Sequence, residues 1–286
     1  MDSFERWIVT SSDEKFWPWL AMFVGSLRDV AGFTGSIAVI DYGLTIQQRE
    51  ILEEQRVVCL PALNNRIQVL DRYLSLASYF DPSIPALVAH FDADIWFNRT
   101  INALFSNPAL RSGRLGAAID VFSCDYYYTC SPRARHAEVD QLLKEVKLAF
   151  GEPLQAGMII AAPHLWMHFA NLLESLIEDG HAKSCWGADA LALNRFACDH
   201  PESFPLLPIS YNAPPLWKFE REGMNLYATE PGGVRKSHQS AQRVPIAAVH
   251  RTSGARCYKE YDVALADMHP NVAQRWAQIF GIRELP

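Results

Sequence analysis

Six cysteines in 286 residues are few, and none of them forms a C-x-x-C pair or a zinc-ribbon spacing. That excludes a disulfide scaffold and the common structural zinc modules, and it reads as reduced thiols in a cytoplasmic protein. A basic block is missing too. Lysine and arginine total 26 against 32 aspartates and glutamates, for a net charge of −6. Nothing in that balance suits tracking a phosphate backbone, and no nucleic-acid partner is expected. No uncharged apolar stretch is long enough to span a bilayer, and residues 1–6 lack the basic start and apolar run of a signal peptide, so no transmembrane segment is expected. Internal repeats, low-complexity tracts and a clear interdomain linker are also wanting. What remains is a chain that is 49% hydrophobic, enough to bury a substantial core as one continuous domain with decorations.

Short apolar runs alternate with capped helical stretches. Trp7–Thr10 stops at Ser11-Ser12-Asp13, a capping cluster ahead of a helix over Phe16 to Leu27. Ser36–Asp41 predicts a second strand, Thr45 caps a helix through Gln55, and Val57–Leu60 predicts a third strand. This is the alternation of βαβ units, and it predicts an α/β fold with a mostly parallel sheet and right-handed crossovers. Ligands collect at the carboxyl ends of such strands, where Thr10 to Asp13, Asp41, Asp92 and Asp94 fall. Further helices are expected over Arg66–Tyr79, Ile101–Phe105, Arg133–Phe150, Pro163–Ile177 and Ala188–Ala197. Further strands are expected over Arg114–Asp120, Leu154–Ile160, Pro208–Asn212 and Pro245–His250. Gly157 inside one of these suggests close approach by a ligand or a neighbouring chain segment. Glu230–Arg243 reads as a polar, locally basic loop, and Asp125–Cys130, with its three tyrosines, takes no assignment.

The chain is organised around Leu87 to Phe97, an apolar run that carries two aspartates, Asp92 and Asp94, one residue apart. Carboxylates at i and i+2 of an extended or sharply turning segment point to one side. That suits a hard divalent cation, which is held by one or two carboxylates together with water and substrate phosphates. Spacing alone leaves a second reading open, in which the pair caps a helix or faces solvent.

Several landmarks then line up in order between Trp7 and Lys259. They are Thr10-Ser11-Ser12-Asp13-Glu14-Lys15-Phe16, Tyr42-Gly43-Leu44-Thr45-Ile46-Gln47-Gln48, Phe91-Asp92-Ala93-Asp94, Leu115-Gly116-Ala117-Ala118-Ile119-Asp120, Leu154-Gln155-Ala156-Gly157-Met158, Asp189-Ala190-Leu191-Ala192-Leu193-Asn194 and Val249-His250. Together they resemble the GT-A glycosyltransferases, in particular the family 8 type. The resemblance implies a Rossmann-like single domain over 1–286, with a nucleotide-binding part over about 1–125 and an acceptor and sugar part over about 126–286. It implies a metal-dependent transfer, with retention, from a nucleoside-diphosphate sugar, a uridine one being favoured, to a saccharide, lipid-linked or protein acceptor. By the same resemblance Asp92, Asp94 and His250 hold Mn²⁺ or Mg²⁺, and Thr10, Asp13 and Phe16 hold the base and ribose. Arg72 is a candidate diphosphate contact, and Asp120, Gln155 and Asp189 surround the reacting sugar.

The sequence departs from that pattern in three places. Gln155 stands where the family has Asn, Ala190 replaces its Gln, and Ala255-Arg256-Cys257-Tyr258-Lys259 replaces its late Lys-Pro-Trp, leaving Arg256 or Lys259 to contact phosphate. Two rivals compete. A haloacid-dehalogenase-like phosphohydrolase would use Asp92 as nucleophile and Asp94 as acid/base, although Trp96 stands where that class has a small residue and three strands precede the motif. A non-catalytic sugar-nucleotide-binding protein would keep the donor site without turnover. His164 and His168 have zinc spacing but no glutamate between them, so packing is expected of them. Of Phe16, Trp17 and Trp19, at least two are expected in the core. Arg235-Lys236 is either a solvated loop or part of a closing one.

Overall fold

The computed structural model describes residues 4–63, 67–120, 125–185, 187–213, 218–229, 243–251 and 263–286. Its strands are β1 (Glu5–Ser12), β2 (Ser36–Asp41), β3 (Val57–Pro61), β4 (Ala86–Phe91), β5 (Ile95–Phe97), β6 (Gly116–Ile119), β7 (Leu154–Ala161), β8 (Leu206–Leu207), β9 (Lys218–Glu222), β10 (Asn225–Thr229), β11 (Arg243–Pro245) and β12 (Ala248–His250). Among the described residues the central sheet has seven strands in the order β3-β2-β1-β4-β7-β6-β8. Every neighbouring pair is parallel except the two made by β7, which runs against β4 and β6. β1 has β2 on one side and β4 on the other, so the chain reverses its direction of growth across the sheet there. The crevice at the carboxyl ends of β1 and β4 is therefore the natural ligand position of this α/β architecture.

Helices cover both faces, which explains the apolar runs. All six residues of β4 are buried and all eight of β7, so neither strand shows the alternation of a half-exposed one. Ile8, Ile37 and Leu87 face a core layer shared with the Trp17–Gly25 and Pro270–Ile279 helices. Val9, Ala38 and Val88 face the opposite layer, formed with the Gln68–Tyr79, His136–Phe150, Pro163–Glu178 and Ala188–Asp199 helices. Trp17 belongs to the core, its Nε1 donating to Phe280 O at 2.9 Å, while Trp19 is half-buried and Phe16 is 43% exposed. Only one of the three aromatics is fully in the core.

Local chemistry accounts for most boundaries. Thr45 and Gln48 form a capping box at the start of the Ile46–Glu54 helix. Asp41 Oδ1 accepts from the backbone of Gly43 and Leu44 while Arg49 pairs with its other oxygen, and Gly43 turns the chain at φ 121°. The Gly-Leu-Thr stretch thus builds a turn, and Asp41 is used within it.

Two expected strands differ. Pro208–Asn212 is a single 3-10 turn over Ile209–Tyr211, and the strand lies before it at Leu206–Leu207. Pro208 has no N–H to continue the ladder. Pro245–His250 divides into the end of β11 and β12, with Pro245 again closing one ladder before β12 opens another beside β5. The helical stretch from Arg133 opens with a 3-10 turn over Arg133–Arg135. Asp125–Thr129 forms a short helix whose Tyr127 is fully buried. Elements that the sequence did not announce are β5, the β9–β10 hairpin and the Pro270–Ile279 helix. Arg66, Trp186, Arg235, Lys236, Arg256 and Lys259 lie outside the described residues, as does most of the Glu230–Arg243 stretch.

Candidate metal and donor site

β4 delivers the aspartates, and its neighbours fix them. Asp92 N still donates to Gly157 O of β7 at 3.0 Å, after which the chain turns tightly, with Ile95 N returning to Asp92 O at 3.3 Å. β5 then leaves the turn and pairs antiparallel with β12, His250 standing opposite Ile95. Arg251 N donates to Asp94 O at 3.0 Å, so the two ends of this ribbon are tied across the turn. The consequence is that a histidine 156 positions downstream of Asp94 faces both carboxylates. His250 Nε2 lies 3.3 Å from Asp94 Oδ1 and 3.6 Å from Asp92 Oδ2. One ligand atom from each of Asp92, Asp94 and His250 falls within 4.8 Å of the others.

A second layer holds Asp92. Arg72, on the Gln68–Tyr79 helix, donates from Nη1 to Asp92 Oδ1 at 3.1 Å and lies 3.8 Å from Asp189 Oδ2. Its side chain is only 4% exposed, so in this structure it is an internal counter-ion. Tyr73 OH donates to Asp189 Oδ2 at 2.9 Å, and the Ala190 N–H donates to Oδ1 at 3.0 Å, which seats Asp189 in the first turn of its helix, where the dipole favours a carboxylate. Burial pushes the Asp92 carboxyl up to about 6, helped by Asp94 and Asp189 and opposed by Arg72 and His250. For His250, burial works against the charged ring, but Asp94, then Asp92 and Asp120, outweigh it and raise its pKa. Each group is displaced in the direction expected of an acidic corner in which one guanidinium serves several carboxylates.

The donor set fits a divalent ion. Two carboxylate oxygens and one imidazole nitrogen leave coordination positions for water and phosphate, and the buried, like-charged carboxylates gain from a cation.

The remaining expected residues are placed as follows. Thr10 is fully buried and its Oγ1 has no hydrogen-bond partner among the described residues. Asp13 Oδ1 accepts from Phe16 N at 2.9 Å, closing the turn that holds Phe16 outward at the end of β1. Asp120 is buried and takes a hydrogen bond from Tyr127 OH at 3.3 Å. Gln155 Nε2 donates to Ile119 O at 3.0 Å and to Asn212 O at 2.8 Å, so its amide nitrogen staples the end of β6 to the turn before residue 213. Ala190 is buried at 3% exposure, and its backbone N–H bonds Asp189 Oδ1. Tyr73, Tyr127 and Asn212 carry no signal of this role in the motifs, whereas Asn194, within the Asp189–Asn194 landmark, bonds the backbone of Leu154 and Ala190. Outside the motifs, Tyr73 gave a signal in its position beside Arg72, whereas Asn212 gave none, being one polar residue in a stretch expected to be a strand.

No protein-family model matches the sequence, and no curated protein matches it. Solved structures do match in fold. The galactosyltransferase LgtC, in complex with donor and acceptor sugar analogues, superposes with a TM-score of 0.58 at 14% identity, covering 98% of this chain and 97% of that one. GlyE, a glycosyltransferase of Streptococcus pneumoniae, gives 0.60 at 16% identity over 97% of this chain and 62% of its own. Mouse xyloside xylosyltransferase 1 gives 0.52 at 12% identity over 88% and 98%. At these identities the likeness establishes the fold. The chain has the GT-A glycosyltransferase architecture, a mixed α/β domain whose mostly parallel seven-stranded sheet is flanked by helices.

Proposed function

We propose that this chain is a metal-dependent glycosyltransferase of the family 8 type, acting on a nucleoside-diphosphate sugar, with a uridine one as the first candidate, and retaining anomeric configuration. The observation that carries the reading is the convergence of Asp92, Asp94 and His250 at the carboxyl end of β4, in a fold shared with known sugar transferases. A diphosphate leaves poorly unless its growing charge is neutralised, and bound Mn²⁺ or Mg²⁺ supplies that neutralisation. The chain's own residues do the rest. Asp94 and His250 present donor atoms. Arg72 holds Asp92 as an anion and keeps it aimed at the same point. Phe16, exposed just after β1, offers a stacking face to the base, Asp13 holds the turn beneath it, and Thr10 contributes from within the strand. Asp120, Gln155 and Asp189 line the sugar side, with Gln155 Oε1 as the part of that amide left to meet a ligand, since its nitrogen is bonded to backbone.

In this reading residues up to about 125 bind the nucleotide and the rest shape the sugar and acceptor side, the acceptor being a saccharide, a lipid-linked saccharide or a protein. Among the described residues no helix is long and apolar enough to cross a membrane. The described cysteines Cys59, Cys130, Cys185 and Cys198 are free, as thiols are in a reducing compartment, and the location proposed is the cytoplasm. The test is calorimetric titration with UDP and with GDP, each with Mn²⁺, with Mg²⁺ and with EDTA, on the wild type and on Asp94→Ala. Metal-dependent binding of one nucleotide, lost in Asp94→Ala with the fold intact, supports the reading. Silence from both nucleotides removes it. Metal-dependent nucleotide binding without sugar transfer or donor hydrolysis favours the non-catalytic binding protein, for which the loss of an amide at Ala190 is the motive.

A further inference from the structure

Three buried polar groups near the metal corner lack hydrogen-bond partners among the described residues, and they belong to two side chains. His250 Nδ1 is one, and Asn212 Nδ2 and Oδ1 are the others. Asn212 is fully buried and His250 is 7% exposed, so water does not obviously serve either. Leaving such groups unpaired forfeits their hydration with nothing in return, and native structures almost always pair them. The two side chains also meet at one place. A Cβ built on Gly157 would stand 2.7 Å from His250 Nδ1 and 3.0 Å from Asn212 Nδ2, so the imidazole and the amide occupy the space over this glycine together. The backbone already registers them, since Ala213 N donates to Ala248 O at 3.0 Å and His250 N to Ala213 O at 2.9 Å. Gln155 fixes the Asn212 carbonyl from below.

We propose that Asn212 is the positioning residue for His250, its Oδ1 accepting the proton carried on His250 Nδ1 and so holding Nε2 toward Asp92 and Asp94. The chemistry requires a partner of this kind. An imidazole that offers the Nε2 lone pair to a metal must carry its proton on Nδ1, and a buried N–H needs an acceptor. An asparagine amide presents oxygen or nitrogen to the same spot after a half-turn of its terminal torsion, with no change of shape. Metal-binding histidines elsewhere are oriented through their second nitrogen, and removal of that partner lowers metal affinity by about 10–100-fold. Gly157 completes the arrangement, because only the absence of a side chain there lets the ring and the amide share the site.

The proposed hydrogen bond joins two side chains of this chain and needs no metal, and only its consequence for metal affinity rests on the proposed metal site. The experiment therefore has two readouts on protein labelled with ¹⁵N-histidine, with His250→Asn used to assign the ring signals. In metal-free wild type, long-range ¹H–¹⁵N spectra should show His250 protonated on Nδ1, with that proton protected from exchange with water. Asn212→Leu, similar in size but without an acceptor, should lose the protection and lower the share of rings protonated on Nδ1, and Asn212→Asp should keep both features. Mn²⁺ titration followed by electron paramagnetic resonance should show binding about 10–100-fold weaker in Asn212→Leu and restored in Asn212→Asp. A wild-type His250 protonated on Nε2 alone, or an Asn212→Leu protein with unchanged tautomer and protection, overturns the proposal. If Asn212→Leu does not fold, the wild-type tautomer and the Asn212→Asp spectrum decide. Expected tautomers in a protein that binds no Mn²⁺ would remove the metal reading and leave the role of Asn212 intact. Tight Mn²⁺ binding that ignores Asn212→Leu would do the reverse.

Discussion

Gly157→Ala asks whether His250 is held where the site needs it. Gly157 lies in β7 with backbone that any residue adopts, so by itself an alanine there should stabilise the chain by about 0.4–1 kcal/mol through the unfolded state. Packing reverses the sign. The new Cβ would stand 2.4 Å from His250 Cε1 and 2.7 Å from Nδ1, against an ordinary carbon contact of about 3.5–4.0 Å, so the ring must retreat by about 1 Å. It cannot do so as a flexible tip, because β12 is laddered to β5 on one side and bridged to Ala213 on the other. Overpacking of this kind costs about 1–3 kcal/mol, which for a chain of this size lowers Tm by about 2–6 °C. A shift of 1 Å also takes Nε2 out of register with two oxygens now 3.3 and 3.6 Å away, and Mn²⁺ affinity should fall at least about tenfold. The decisive form is a double-mutant cycle read by thermal melting. In a His250→Ala background the closest contacts are gone and only the 3.0 Å approach to Asn212 Nδ2 remains, so Gly157→Ala should cost much less, with a coupling energy of about 1–3 kcal/mol. Additive effects, or wild-type Mn²⁺ affinity in Gly157→Ala, would refute the claim that the ring occupies this space.

Three further outcomes follow from the same corner. In the metal-free protein Asp92 sits near 6, above its ordinary 3.8, so the folded state binds this proton more tightly than the unfolded chain does. Its stability contribution is present below about pH 4 and lost as pH rises through 6, a change of about 3 kcal/mol, and the raised His250 acts in the same sense at higher pH. Thermal melting of metal-free protein should therefore show Tm rising from pH 7 to 5 and this trend reversing with saturating Mn²⁺, whose binding displaces protons; a flat metal-free profile would remove the coupling. Arg72→Met leaves Asp92 and Asp189 without their guanidinium and should destabilise by about 3–5 kcal/mol in urea titrations, with Asp94→Ala much milder. Tyr73→Phe keeps the ring packing against Phe169 and removes only the bond to Asp189, so it should cost about 1–3 kcal/mol, and a neutral result would place Asp189 in water rather than in the network.

The parts of the fold that were legible in the sequence are those whose physics is local. β2, the capped Ile46–Glu54 helix and β4 follow from apolar runs and turn chemistry within a dozen residues. The C-terminal third was harder because its strands are only two to five residues long, and β8 and β12 pair with partners far away in sequence. β5 and β12 are each too short to show a period, and each exists because the other does. The same separation hid the supporting side chains. Asp92 and Asp94 announce themselves by spacing, but Tyr73 bonds a residue 116 positions away and Gln155 bonds the Asn212 backbone 57 away, and no local pattern encodes those meetings.

The electrostatics of the corner argue for what it is built to hold. Asp92, Asp94 and Asp189 share the neighbourhood of one guanidinium, and His250 becomes a second cation only by taking up a proton. A purely structural cluster would be expected to balance its charges, since an uncompensated buried carboxylate is among the costlier features a fold can carry. Here the imbalance persists, and it falls at the strand-order reversal between β1 and β4, where the architecture opens a crevice. Arg72 pairs with Asp92, while Asp94 has His250 as its ion-pair partner and is the more exposed of the two carboxylates. A divalent cation would remove that excess, and it would let His250 act as a neutral ligand in place of a proton sink. The departures at Ala190 and Gln155 lie beside Asp189 and against the Asn212 backbone, not at Asp92, Asp94 or His250 themselves. On the proposed reading, metal and nucleotide binding are therefore the properties to test before any particular sugar.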